Sequence, residues 1–340
     1  MIAVYTLSSL RASVQTMSSF SLAAASLSAL RVRRKHPIAR DIVRFELVDP
    51  AGADLPAWTP GAHIRLLTPG GHTRSYSLCG PVQARDHWAI AIKRDANGRG
   101  GSVSLIDGVQ EGDTLTMRGG DNLFPLDTDA DQHILIAGGI GITPLYAMAQ
   151  ALALMPTQPF HLYVCTRDAQ ATAFLSELQQ APWRERVSVH HDGGEPSQSL
   201  DLWPVLETPS AAHVYCCGPQ GLMDSVRDMS GHWPAHQIHF ESFGAASQGW
   251  ADNQAFEVVL QASGRRLSVP PERSILECLR SAGVAVASSC ESGTCGSCKT
   301  GLIAGEVEHR DLVLLPEERS QHIMVCVSRS IHGGTLELAL

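Results

Sequence analysis

The sequence predicts a multidomain chain of three parts: an antiparallel β-barrel, a parallel α/β sheet and a small α+β unit. Three features predict it. Short strands split by Gly/Pro turns fill residues 31–128. Apolar strands alternate with helices over 129–243. Three cysteines then crowd into nine residues near the C-terminus. A length of 340 residues suits two or three domains.

In the first part the strands are IVRFELV (42–48), HIRLL (63–67), RSYSL (74–78), HWAIAIK (87–93) and DTLTMRG (113–119). Turn residues such as Pro60-Gly61 and Gly70-Gly71 separate them, the pattern of a barrel or sandwich. The second part opens on the apolar run HILIAG (133–138), a Gly-rich turn and the helix TPLYAMAQALAL. Pro144 fits a first helical turn, where its missing N–H costs nothing. Further strands are expected at 161–167, 187–192, 213–218 and 237–243, with helices at 172–180 and 221–229. Such alternation argues for a parallel sheet covered on both faces. Residues 244–254 read as a linker. From 255 to 340 a hairpin turning at Ser263-Gly264 precedes a short helix (274–283) and then the cysteine loop.

Composition excludes several classes. The net charge is −8, and no basic patch of useful size follows residue 40, which argues against nucleic-acid binding. No run approaches 18 uncharged apolar residues, so no membrane span is expected. Nine cysteines, an odd count, do not form a disulfide framework and point to a reducing, cytoplasmic setting. The first 40 residues hold no acid and six Arg or Lys. Residues 1–30 are read as a disordered extension rather than a transit peptide.

The strongest motif is Cys290-x4-Cys295-x2-Cys298, followed after 27 intervening residues by the isolated Cys326. This is the spacing of plant-type [2Fe-2S] proteins. Two irons with bridging sulfides need four converging thiolates, and Gly293 and Gly296 let the loop bend round them. A structural zinc site usually pairs two close cysteine knuckles, which this chain lacks. Cys79, Cys165, Cys216 and Cys278 sit in strand or helix patterns and read as small core residues.

Weaker motifs precede it. In RSYSLCG (74–80), Arg74 offers a cation, Tyr76 an aromatic face and Ser77 a hydroxyl. In NGRGGSVS (97–104), Arg99, Gly100, Gly101 and Ser102 suit a phosphate. AGGIGITPLYAM (137–148) is a Gly-rich turn into a helix, ready for a dinucleotide phosphate, although Pro144 replaces the usual third glycine. YCCGPQGLM (215–223) places Cys217 and Gly218 at a second strand-to-helix turn. Each alone is more often an ordinary strand or turn.

Taken in order, RSYSL, GRGGS, GGIGITP, CCGP and CESGTCGSCKTG resemble the ferredoxin–NADP⁺ reductase superfamily with a fused ferredoxin, over residues 31–340. The order is similar to that of the phthalate dioxygenase reductase and vanillate O-demethylase reductase family. The resemblance implies a flavin barrel at 31–128, a nicotinamide domain at 129–243 and a β-grasp ferredoxin at 255–340. It implies FMN rather than FAD, with Arg74, Ser75, Tyr76 and Ser77 along the ring and ribityl chain. Arg99, Gly100, Gly101 and Ser102 would hold the phosphate, and Ala91 and Lys93 would add backbone contacts. Gly139 and Gly141 would lie near the NADH pyrophosphate, with Gly218 beside the nucleotide. Phe243 would pack near the flavin. Ser77, Thr143 and Cys217 would surround the site of hydride transfer. NADPH stays open, because Arg167 ends a strand where a ribose could lie.

The implied function is an NADH-dependent reductase that passes electrons through FMN and the [2Fe-2S] cluster to a Rieske non-haem iron oxygenase acting on an aromatic acid. A monomer is expected. Residues 255–340 hold ten acidic and eight basic residues, so only modest charge steering of the partner is expected. The alternatives are another acceptor, a [2Fe-2S] carrier without NADH oxidation, and a cluster-bearing sensor. A carrier would have no use for phosphate cradles.

Overall fold

The computed structural model describes residues 21–22, 28–96, 98, 100–155, 157–243, 253–288, 291, 293–294 and 296–340. The chain divides into two compact units, Met1–His239 and Phe240–Leu340.

The larger unit begins with the strands β1 (Ser21–Leu22), β2 (Ala29–Ala39), β3 (Ile42–Val48), β4 (Ala62–Leu67), β5 (Thr73–Ser77) and β6 (Trp88–Lys93). Helix α1 (Gly101–Gly108) and strand β7 (Thr114–Asn122) follow. The sheet order is β5-β4-β7-β2-β3-β6, with β1 added on β7. A bridge between Leu78 and Ile90 joins the two ends and closes the barrel. Two boundaries differ from expectation. Strand β2 starts at Ala29, and Ser21–Leu22 pairs with Gly120–Asp121, so the barrel takes in part of the expected 1–30 extension. The rest of that extension lies outside the described residues. The glycine-rich 97–104 segment is not a loop throughout, because helix α1 starts at Gly101.

The alternation of β6 explains how the barrel joins the next sheet. Trp88, Ile90 and Ile92 point into the barrel core with Leu30, Phe45 and Leu47. Ala89 and Ala91 point the other way, into a second core shared with the α/β sheet. That sheet contains β8 (Gln132–Gly138), β9 (Phe160–Thr166), β10 (Val187–His191), β11 (Ala212–Cys217) and β12 (Ile238–Glu241), in the order β10-β9-β8-β11-β12. Strands β10, β9, β8 and β11 pair in parallel. Helices α2 (Ile142–Ala153), α3 (Leu175–Gln180), α4 (Trp203–Leu206) and α5 (Gln220–Met229) connect them.

Helix α2 is apolar nearly all round, and ten of its twelve residues are buried. Such a helix needs cover on every side. Leu145, Met148, Ala149 and Leu152 pack in the shared core, while Ala147 belongs to the barrel cluster. The barrel and the α/β sheet, expected as separate domains, therefore form one compact unit.

The smaller unit contains β13 (Phe256–Leu260), β14 (Arg266–Val269), helix α6 (Ile275–Ser281), β15 (Lys299–Ala304), β16 (Val307–Glu308), β17 (His322–Met324), β18 (Arg329–Ser330) and β19 (Leu336–Leu338). The main sheet runs β14-β13-β19-β15-β17, and β16 pairs with β18. The hairpin β13–β14 is antiparallel, and β13 runs parallel to β19. Ser274 and Glu277 form a capping box at the start of α6. Ile275, Leu276 and Leu279 of α6 pack on Val258, Leu336 and Leu338 of the sheet. No helix among the described residues is long and apolar enough to cross a membrane. The expected linker lies outside the described residues, apart from its last two.

Candidate functional site

On the barrel, an anion cradle forms where β5 meets the N-terminus of α1. Gly100 takes a left-handed φ of 78°, which L side chains avoid, and no side chain caps the helix. The first-turn N–H groups are thus left for an external acceptor, at the positive end of the helix dipole. At the other end, Lys35 Nζ donates to the carbonyls of Ile106 and Val109 at 2.6 and 2.7 Å, completing the complementarity. A Cβ on Gly101 would lie 3.1 Å from Cγ and Nε of Arg74, so that guanidinium stem lies over the helix start. The Asp95 N–H donates to Ser102 Oγ at 3.0 Å, leaving the Ser102 O–H to donate elsewhere. Arg94 grips Asp107 through two bonds, of 2.7 and 3.2 Å, and fixes α1 against β6. A cationic stem, bare helix N–H groups and a directed hydroxyl fit a phosphate monoester.

The other predicted barrel residues divide by the pleat. On β5, Arg74 and Tyr76 share one face, and Ser75 and Ser77 share the other. Their side chains therefore reach the site from two directions. Burial pushes the Tyr76 phenol up, so the ring stays neutral. Ser77 is buried. Ala91 points into the shared core, while Lys93 at the end of β6 is exposed. Arg99 lies outside the described residues.

In the α/β sheet, the chain leaves β8 for β9 on one side and β11 for β12 on the other. The gap between the C-terminal ends of β8 and β11 is thus a topological switch point, where ligands of such sheets bind. Glycines let the two turns there touch. A Cβ on Gly141 would sit 2.2 Å from the Cys217 carbonyl oxygen, and one on Gly138 would sit 2.5 Å from Pro219 Cδ. A Cβ on Gly218 would meet Gly138 Cα at 2.9 Å. Gly139 differs: its φ is +53°, and nothing lies within 4 Å of its absent Cβ. Of the two predicted pyrophosphate glycines, Gly139 faces open space and Gly141 faces protein backbone. Thr143 is buried in the first turn of α2, and its hydroxyl donates to the Ile140 carbonyl at 3.1 Å. The 139–141 turn lies against β6 of the barrel. Cys217, the last residue of β11, is buried. Phe243 is exposed, an uncovered aromatic face.

In the smaller unit, Cys298 and Cys326 are buried at 2% and 4% exposure. Cys290 and Cys295 lie outside the described residues. Gly293 and Gly296 both take φ of +78°. A Cβ on Gly293 would press on Val327 Cγ2 at 2.8 Å and on Asp311 Cα at 3.2 Å. The loop that carries three cysteines is thus packed directly on the turn that carries the fourth. Two sheltered thiols at that seam, one of them on a loop bent by left-handed glycines, fit a sulfur-ligated cluster. Of the other cysteines expected in the core, Cys79, Cys216 and Cys278 are buried and Cys165 is half-buried. Burial pushes the Cys79 and Cys165 thiols up to about 12 and 11, where no thiolate forms at neutral pH.

Comparison with known proteins agrees with this geometry. Residues 258–330 match the 2Fe-2S iron-sulfur cluster binding domain, and residues 135–228 match the oxidoreductase NAD-binding domain. Phthalate dioxygenase reductase of Burkholderia cepacia is 53% identical over 88% of this chain and 94% of its own length. The chain belongs to the phthalate dioxygenase reductase family. A solved structure of a phthalate dioxygenase reductase, described as a modular structure for electron transfer from pyridine nucleotides to [2Fe-2S], aligns with a TM-score of 0.76 at 52% identity, covering 92% of this chain and 97% of that one. Vanillate O-demethylase oxidoreductase of Pseudomonas sp. is 36% identical over 89% of this chain and 96% of its own length. The protein is an NADH-dependent oxidoreductase, and its cofactors are those of the family: FMN, NADH and a [2Fe-2S] cluster.

Sequence reasoning missed several members of these sites. Lys35 and the Arg94–Asp107 pair act only through α1, which a Gly-rich string conceals. Asp311 carries no motif, and only its burial against Gly293 draws attention to it.

Proposed function

We propose that the chain takes electrons from NADH and delivers them singly to a Rieske non-haem iron oxygenase that acts on an aromatic acid. One arrangement carries this reading: a phosphate cradle, a dinucleotide switch point and a buried thiol seam follow one another in a single chain. When bound, the flavin supplies the change from two-electron to one-electron transfer.

The chain's own residues bind and orient. Arg74, Ser102 and the N–H groups after Gly100 hold the flavin phosphate, with Arg99 beside them. Tyr76, Ser75, Ser77, Ala91 and Lys93 line the rest of the flavin. The open face at Gly139 receives the pyrophosphate, while Gly141 and Gly218 let the two turns close behind it. Thr143 and Cys217 wall off water from the nicotinamide, and Phe243 offers an aromatic cover. Cys290, Cys295, Cys298 and Cys326 ligate the cluster. Hydride transfer needs no acid or base side chain, so none of the 15 histidines is assigned to it. The assigned domains are 31–128, 129–243 and 255–340. The chain acts as a cytoplasmic monomer.

The names of the relatives support an aromatic acid. They include reductase or oxidoreductase components of phthalate, vanillate and toluene-4-sulfonate systems and a phenoxybenzoate dioxygenase subunit beta. One observation favours a second reading, a haem monooxygenase as acceptor. An intact type IV self-sufficient cytochrome P450 monooxygenase aligns at 35% identity over 92% of this chain, which spans 41% of that protein.

Anaerobic NADH addition, followed by visible spectroscopy, tests the electron path. Bleaching of both flavin and cluster bands is expected. A cluster band unmoved by NADH would sink the reductase reading. Cys295→Ser should abolish delivery to the acceptor yet leave NADH-dependent flavin reduction in place. Purified Rieske and P450 components, offered side by side, decide the acceptor by which of them is reduced.

A further inference from the structure

Asp311 is a carboxylate in an unusual place. Its side chain is wholly inaccessible to solvent. Its Oδ2 accepts the N–H groups of Leu314 and Val313 at 2.8 and 3.2 Å. Its Oδ1 lies 3.5 Å from Ser328 Oγ and 3.6 Å from His309 Nδ1. Among the described residues no Lys or Arg forms an ion pair with it. A buried carboxylate whose nearest basic group is an imidazole at 3.6 Å, with no Lys or Arg, is expensive. Backbone turns of this kind are also capped by asparagine, and more weakly by serine, neither of which carries a charge. Capping alone therefore does not explain an aspartate here.

Its position supplies a reason. The N–H of the next residue, Leu312, donates to the Gly293 carbonyl at 2.9 Å, and Gly293 lies between Cys290 and Cys295. The missing Cβ of Gly293 faces Asp311 on one side and Val327, the neighbour of Cys326, on the other. Asp311 thus stands at the seam where the three-cysteine loop meets the fourth cysteine.

We propose that Asp311 is a positioning residue for the cluster whose buried negative charge also holds the cluster's reduction potential low. The inference rests on the reading of this unit as the electron exit. In the step concerned, one electron leaves the reduced flavin, enters the cluster and later passes to the acceptor. No bond is made or broken. Each electron entering the cluster adds one negative charge beside a fixed anion. In a dry interior that repulsion is weakly screened, and cluster potential responds to local charge and hydrogen bonding. Asp311 therefore weakens the pull of the cluster on the flavin electron and strengthens its push on the acceptor.

The test is a potentiometric titration of the full chain, with the cluster followed by electron paramagnetic resonance and iron and sulfide counted in each sample. Asp311→Asn and Asp311→Ser remove the charge but keep a cap of different strength. Asp311→Glu keeps the charge. Both neutral variants should shift the potential upward by at least tenfold in the equilibrium constant for cluster reduction, about 59 mV for one electron. The glutamate variant should stay near the wild type. Unchanged potentials in cluster-loaded neutral variants would overturn the proposal. So would shifts that follow each variant's melting temperature rather than its charge. Failure of both neutral variants to hold a cluster would leave Asp311 an architectural role alone and overturn its proposed effect on the potential. The titration uses chemical reductant, so it stands apart from the NADH test. A wild-type chain whose flavin ignores NADH would defeat the reductase reading and leave the Asp311 result standing.

Discussion

Both glycine-rich turns of the larger unit lead into the start of a helix, yet their glycines answer to different neighbours. At Gly141 the backbone is ordinary, with φ of −61°, and the space is gone: a Cβ would meet the Cys217 carbonyl oxygen at 2.2 Å. At Gly100 the space is open and the backbone is special, with φ of 78° and nothing within 4 Å. One glycine serves the protein's own packing and the other frees a helix end for a ligand. A string of glycines before a helix does not say which role each one plays.

The largest test of this contrast is Gly141→Ala. Backbone pressing on backbone cannot relax as a side chain can, and overpacking ordinarily costs about 1–3 kcal/mol. Here the loss should exceed about 3 kcal/mol and be read as a lower urea midpoint. A stable variant that still oxidises NADH would show that the two turns can separate.

Arg74→Ala comes next. It removes the cation from the cradle and leaves the helix in place. Charged hydrogen bonds are worth about 1.5–3 kcal/mol, so FMN affinity should fall about 10- to 100-fold in a fluorescence titration. An unchanged affinity would move the phosphate elsewhere. Gly100→Ala should be milder. Its cost is the left-handed conformation, about 1–2 kcal/mol. With open space around it, FMN affinity should change less than tenfold. A collapse as severe as that of Gly141→Ala would erase the distinction between the two turns.

The opposite end of the same sheet offers the smallest test. His133 and His213 are the second residues of β8 and β11, and His213 Nδ1 lies 3.0 Å from His239 Nε2 on β12. The His239 ring also stacks on Tyr215 at 4.3 Å. Burial, then the neighbouring His213, lowers the His239 imidazole to about 4, with Asp127 opposing and His133 and His236 adding to it. Burial also lowers His133. The fold therefore favours the neutral rings. Their stabilisation is complete above the unfolded value of about 6.5 and is lost as pH falls from there toward 4. Melting temperature should drop between pH 7 and pH 5, and His239→Gln should drop less. Equal drops would place the acid sensitivity elsewhere.

Much of this was readable in advance, for local reasons. Strand β3 occupies 42–48, where its apolar alternation placed it, because a period of two depends only on neighbouring residues. The cysteine spacing announced the cluster, since four thiolates round two irons constrain their own sequence. The order of the three folds followed from the same local periods. Other features depended on which surfaces meet. Ala89 and Ala91 are small residues in a strand until α2 covers them, and that shared core makes one unit of two expected domains. The helical start at Gly101 was hidden by glycines that ordinarily signal a loop. Gly141 needs its bare Cα only because Cys217, 76 residues away, arrives against it. Asp311 reads as one more surface acid until Gly293 and Val327 close over it. Sequence by itself determined periodicity and ligand spacing, which are properties of a short stretch of chain. Tertiary structure alone decided close approach and burial, which are properties of two stretches at once.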